Sequence, residues 1–137
     1  MKEEGGKMKV DEKRRKVRKL VDRLALSRIQ SFMADYVAKQ LYINNAEAEN
    51  FLNELTIKEA PLLNLNYKFI CPNCGFVRRF TKLNELIRFK EEQGECPFCD
   101  VNLSEDLIDM NIYNIYIFDK EYREKRKKCE LQYRLHQ

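Results

Sequence analysis

The sequence has no tryptophan, one histidine, three prolines and four glycines in 137 residues. Each shortage excludes something. A histidine-based catalytic apparatus would have to rest on His136, the penultimate residue, where a lone side chain is expected to be solvated. The longest apolar stretch, Ile112 to Phe118, is broken by Asn114 and is far short of the roughly 20 residues a membrane helix needs. The N-terminus, MKEEGGKMKVDEKRRK, lacks the apolar segment of a secretory signal, so a cytoplasmic protein is expected. No internal repeat or low-complexity tract is visible. What is present, 44% apolar and 35% charged residues, suits a globular chain rather than disorder. The length fits one domain or two small modules that bury roughly two-thirds of their unfolded surface.

Four of the five cysteines stand in two pairs, Cys71-Pro72-Asn73-Cys74 and Cys96-Pro97-Phe98-Cys99, with 21 residues between Cys74 and Cys96. A reducing interior disfavours disulfides, so paired CxxC reads first as a metal site. Two thiolates three positions apart reach one ion from a single tight turn. Two such turns facing each other supply the four ligands of tetrahedral zinc. Proline after the first cysteine of each pair stiffens the turn. Gly75 follows where the chain must bend, with a positive φ expected, and Asp100 takes the matching place in the second pair because Asp enters the left-handed region more readily than most residues. Cys71, Cys74, Cys96 and Cys99 are therefore the expected ligands of one Zn2+ per chain. The CxxCG and CPxC elements also resemble rubredoxin, which implies iron in the same cage, although a helical insert between the turns does not suit that family. A redox dithiol is the third reading, and a second matching pair counts against it. Cys129 has no partner at metal-ligand spacing and reads as a free thiol.

Around the cysteines the periodicity predicts an α+β fold, helices first and a short sheet after. Val10, Val17, Leu20, Val21 and Leu24 form one helical stripe, with Lys13, Arg15, Lys16, Arg18, Lys19 and Arg23 opposite. Ser27-Arg28-Ile29-Gln30 matches a capping box and opens a predicted helix carrying Ile29, Phe32, Met33, Tyr36, Val37 and Leu41. Asn44-Asn45 reads as turn and cap before a shorter helix with Ala48, Phe51, Leu52 and Leu55. Leu63, Leu65, Tyr67 and Phe69 alternate with polar residues as a half-buried strand does, and Phe76 to Thr81 reads as its hairpin return. A helix around Leu83, Leu86 and Ile87 ends near Gly94, Asn102 to Ser104 is expected as loop, and Met110 to Phe118 as strand. A charged helix follows from Asp119. The expected organisation is a flexible N-terminus over 1–9, a helical module over 10–66, a metal module over 67–118 and a C-terminal helix over 119–137.

The stretch from Tyr36 to Leu55 resembles a helix-turn-helix. In that pattern Ala38 is the small residue at the crossing, Ile43 plugs the turn, and Phe51, Leu52 and Leu55 pack the second helix. Tyr42 stands where that family usually has glycine, and a plain helical hairpin would carry much the same stripe. A strand following such a motif suggests a winged helix. Residues 69–103, FICPNCGFVRRFTKLNELIRFKEEQGECPFCDVNL, resemble a zinc ribbon. Winged helix followed by ribbon is similar to archaeal transcription factor E and the alpha subunit of general factor IIE. That resemblance implies contacts with polymerase and promoter, no catalysis, and the four cysteines as metal ligands.

Charge by segment tests the nucleic-acid idea. Residues 1–28 hold 11 Lys/Arg against 5 Asp/Glu, whereas residues 29–66 hold 2 against 5. The basic excess is therefore an N-terminal property. A helix that reads the major groove offers Arg, Lys, Asn or Gln to base edges, but the candidate recognition helix offers Glu47, Glu49, Asn50, Asn53 and Glu54, and no basic residue offsets the repulsion of its three carboxylates by phosphates. It is expected to contact protein or nothing. Nucleic-acid contact is expected instead from Arg15, Lys16, Arg18, Lys19 and Arg23 and from Arg78, Arg79 and Lys82 on the ribbon hairpin. Tyr67, Phe76 and Phe80 beside them either stack on bases or form ribbon core, with core the commoner outcome. The expected function is a non-enzymatic zinc-binding protein, nucleic-acid-associated or transcription-like. The alternative is an adaptor that joins protein subunits of a larger assembly, such as a prokaryotic defence or mobile-element system. Neither reading has a membrane or small-molecule substrate as partner.

Overall fold

The computed structural model describes residues 9–57, 59–92 and 94–136. The chain is mixed α+β, as expected, and its elements run α1 (Val10–Ala25), β1 (Ser31–Phe32), α2 (Ala34–Leu41), α3 (Asn45–Glu54), β2 (Leu63–Ile70), β3 (Val77–Phe80), α4 (Leu83–Glu92), α5 (Glu105–Asp109), β4 (Ile112–Phe118) and α6 (Lys120–Leu135). The strands follow the order β1-β4-β2-β3. Two compact units divide the chain: Met1–Asn64 with Ile117–Gln137, and Leu65–Tyr116. The segment 1–8, within the stretch expected to be flexible, lies outside the described residues. No described helix is long and apolar enough to cross a membrane.

In the first unit α1 buries Val17, Leu20, Val21 and Leu24, so its basic residues are left on the outer face. Val10 departs from the expected stripe: it is the first residue of the helix and is 58% exposed. The α2–α3 hairpin closes on small residues: Ala38 and Ala48 are both buried, which lets the two backbones approach. Tyr42 ends α2 in the left-handed conformation at φ 57° and is 94% exposed, so its ring offsets none of the backbone cost. Asn44 and Glu47 cap α3 reciprocally. Asn44→Ala should cost about 1 kcal/mol, read as a lower midpoint in thermal denaturation of the metal-loaded chain.

The expected capping box at Ser27 does not form. Ser27 Oγ instead donates to Leu24 O at 2.6 Å and accepts from Ile29 N at 3.1 Å, finishing α1 rather than starting a helix. Gln30 accepts from Arg123 Nη1 at 3.4 Å. Residues 31–32 become β1, where Phe32 meets the Phe118 ring at 5.5 Å, and α2 begins only at Ala34. The C-terminal helix is anchored at its start. Arg123 donates to Ala25 O at 3.1 Å and Ser27 O at 2.5 Å, satisfying carbonyls at the end of α1, and its guanidinium lies over Phe118 at 4.9 Å. The Tyr122 hydroxyl donates to the Asp22 carboxylate, and burial followed by that carboxylate pushes the phenol well above its usual range.

The second unit has its own core. Phe69, Phe80, Leu86, Phe89, Leu103 and Ile108 pack together with Cys71 and Cys96. The β2–β3 hairpin is antiparallel, in the register Tyr67↔Phe80 to Ile70↔Val77. Two features went unpredicted. The loop after the second cysteine pair contains α5, capped by Ser104 and tied to α4 by a Lys90–Asp109 ion pair at 2.7 Å. Asn102, expected in loop, forms an antiparallel bridge with Glu95.

Candidate metal centre and basic surfaces

The two cysteine turns are built alike. Cys71 N donates to Phe76 O at 2.8 Å and Gly75 N to Cys71 O at 2.9 Å. In the second turn Cys96 N donates to Val101 O at 2.9 Å and Asp100 N to Cys96 O at 3.0 Å. Both turns close through a left-handed residue, Gly75 at φ 83° and Asp100 at φ 61°, as their sequence positions predict. Strand β2 delivers the first turn and the chain leaving α4 delivers the second.

This folding brings all four sulfurs within 4.8 Å of one another. The closest approaches cross between the turns, Cys71 Sγ to Cys99 Sγ at 3.7 Å and Cys74 Sγ to Cys96 Sγ at 3.6 Å. A disulfide needs about 2.05 Å, so neither pair is one. A tetrahedron with metal–sulfur bonds of about 2.3 Å has edges of about 3.8 Å, and the two short separations match it. The cage suits a tetrahedral metal ion such as zinc.

The protonation chemistry fits the same use. Hydrogen bonding from the Asn73 side chain, then from the Val101 backbone, holds the Cys99 thiol down to about 6. Backbone hydrogen bonding from Cys74 lowers Cys71. A backbone hydrogen bond from Phe76 also favours the Cys74 thiolate, but desolvation and the neighbouring thiols outweigh it and push that group up to about 12. Four sulfurs this close cannot all carry charge by themselves. A divalent cation at their centre removes the conflict.

The remaining sequence candidates are all on the surface. Arg15, Lys16, Arg18, Lys19 and Arg23 are exposed on α1, and only Arg18 has an ion-pair partner among the described residues, Asp22 at 3.3 Å. Lys13, expected on that face, is drawn away to Glu47 at 2.5 Å, and Arg14 binds Glu54 at 2.9 Å. Glu47 and Glu54 on α3 therefore serve as partners of α1. Lys13 in turn holds the Glu47 carboxyl below its ordinary range. Arg78, Arg79 and Lys82 are exposed on the second unit. Of the aromatic residues beside them, Phe80 is buried in the core and Tyr67 and Phe76 pack against it.

Two residues of this surface escaped the sequence reading. Arg88 lines a cavity of about 540 Å³ with Arg78 and Arg79. Its signal was its helical position beside the buried Phe89. Phe98 is 74% exposed, and its ring meets Phe76 at 5.0 Å. Its signal was its place between two ligands in a tight turn, where a side chain projects outward. Cys129 is exposed on α6 and His136 is exposed at its C-cap, and neither belongs to the four-cysteine group. No family model, curated protein or solved structure matches this chain.

Proposed function

We propose that the protein is a non-enzymatic, zinc-binding, nucleic-acid-associated factor built on the plan of archaeal transcription factor E, a winged-helix-like helical module followed by a ribbon. Zinc fits the four-thiolate cage, and such a cage keeps no open position for water or substrate. The observation that carries the nucleic-acid reading is the free basic surface. Seven of the eight candidate cations, all except Arg18, have no ion-pair partner among the described residues. The engagement of Glu47 and Glu54 by α1 supports the further point that α3 is not the reading head.

Phosphate neutralisation makes such binding fall steeply with salt. Reversing Arg15, Lys16, Lys19 and Arg23 to Glu should weaken binding to mixed nucleic acid at least about tenfold and flatten the salt dependence, as measured by fluorescence anisotropy. Unchanged affinity would remove α1 from the interface. The adaptor reading keeps one observation in its favour, the exposed Leu131, Tyr133 and Leu135 near the end of α6. A protein that binds no nucleic acid at low salt would leave that reading standing.

A further inference from the structure

We infer that the second unit is a single-strand-binding surface, with Phe98 as a base-stacking platform and Arg78, Arg79 and Arg88 as the phosphate contacts. This rests on the nucleic-acid reading and narrows it to unpaired bases on a phosphodiester backbone.

The rings come first. Phe98 is a large apolar side chain held out in solvent, and it is not loose. Its turn is fixed by the hydrogen bonds across Cys96, Asp100 and Val101, and Phe98 N itself donates to Cys96 Sγ at 3.4 Å. The Phe76 ring braces it, and Phe76 packs in turn against the core. A base stacking on Phe98 would meet a platform already in place, without the cost of ordering it. Stacking of this kind is open to any unpaired base, because every base has a π-face.

The cations follow along the same strand. Arg78 stands two residues beyond Phe76, on the same side of an extended chain and about 7 Å along it, and Arg78, Arg79 and Arg88 line one cavity. Arg79 also lies directly opposite Lys68 in the hairpin register. Like charges in that relation destabilise a sheet unless an anion lies between or above them. Arg78 is held in place from beneath, its guanidinium 5.5 Å from the Phe80 ring centroid and 5.4 Å from that of Phe89. Among the described residues no ion pair engages Arg78, Arg79 or Arg88. Two carboxylates line the same cavity, Glu85 and Glu92. Glu85 is held at the start of α4, accepting from Thr81 N and Oγ1 and from Lys82 N. Three arginines against two glutamates leave the lining at a net charge of +1, and Arg matches phosphate oxygens two at a time.

Duplex is the poorer fit. Its bases are already stacked, so Phe98 has nothing to receive, and α3 presents no basic residue to a major groove.

The test uses the zinc-loaded full chain and anisotropy with labelled oligo(dT), oligo(U) and a hairpin duplex at low salt. Either single strand should bind about tenfold or more tighter than the duplex, and the ratio of the two separates DNA from RNA. Phe98→Ala, and Phe98→Leu, which keeps apolar bulk without the π-face, should each weaken single-strand binding about tenfold at unchanged metal content. Arg79→Ala and Arg88→Ala should each lower the salt slope by about 0.7. Equal affinity for duplex and single strand, wild-type affinity in both Phe98 variants, or equal binding of a polyglutamate peptide would overturn the inference while leaving nucleic-acid association intact. No binding of any of the three oligonucleotides would overturn both.

Discussion

Removing the metal is expected to unfold the second unit and spare most of the first. The second unit spans Leu65–Tyr116, and its core includes two of the four ligands, Cys71 and Cys96, as buried members. A core of this size cannot hold itself against the chain entropy of some fifty residues. Structural zinc supplies roughly 10–16 kcal/mol of apparent binding free energy in small peptides at neutral pH, which is folding free energy when the empty site is unfolded. The first unit draws on a separate set of contacts, the α1 stripe, the Ala38–Ala48 crossing and the Arg123 anchor. A chelator should therefore abolish the dispersed amide signals of residues 65–116 while those of α1, α2 and α3 persist. Cys96→Ser should do the same without a chelator. Elemental analysis of the native chain should return about one zinc, and a coloured protein with iron would replace the zinc assignment. A folded second unit in the metal-free state would show that the cage is not what holds it together.

The sign of the pH dependence follows from the thiols. Cys74 in the metal-free cage is a protonated thiol at neutral pH, pushed up to about 12. Loading the metal must expel that proton, so acid opposes loading. Affinity should rise with pH between about pH 6 and pH 8, by up to about tenfold per unit for each proton displaced. Competition with a chromophoric chelator at several pH values measures it.

Much of this was legible in the residues, and the reasons differ by element. The cysteine turns were legible because their geometry is local: the CxxC spacing, Gly75 and Asp100 dictate the fold of each turn without reference to the rest of the chain. The faces of α1 and the α2–α3 hairpin were legible because burial at helical spacing leaves a stripe. The failure at Ser27 has the opposite cause. Its hydroxyl had two local uses, closing one helix or opening the next, and the choice was settled by Arg123, nearly a hundred residues away, which takes the carbonyls of Ala25 and Ser27 and the side chain of Gln30. Short elements such as β1 and α5 carry too few residues to show a period. The roles of Glu47 and Glu54 were hidden for a similar reason. An acidic helix face reads as solvated until the opposing Lys13 and Arg14 are seen.

The second large effect should come from Phe89. Its ring touches two others, Phe69 at 5.2 Å and Phe80 at 5.2 Å, and supports the Arg78 guanidinium at 5.4 Å. With Leu86 it packs α4 into the core that includes Phe69 and Phe80 of the β2–β3 hairpin. Phe89→Ala opens a cavity in a small core and should cost about 3–5 kcal/mol. In a unit whose folding is coupled to its metal, that loss cannot appear only as a lower melting temperature. The variant must spend binding free energy on folding, so metal affinity should fall by roughly 140- to 4000-fold, the same free energy at about 1.4 kcal/mol per decade. Phe89→Leu keeps most of the volume and should recover most of that loss. Phe98→Ala makes the informative control, because Phe98 is also a phenylalanine of this unit but lies in solvent. Its removal should change metal affinity little. Equal losses in the Phe89 and Phe98 variants would mean that the aromatic cluster under the hairpin is not the support of the metal cage.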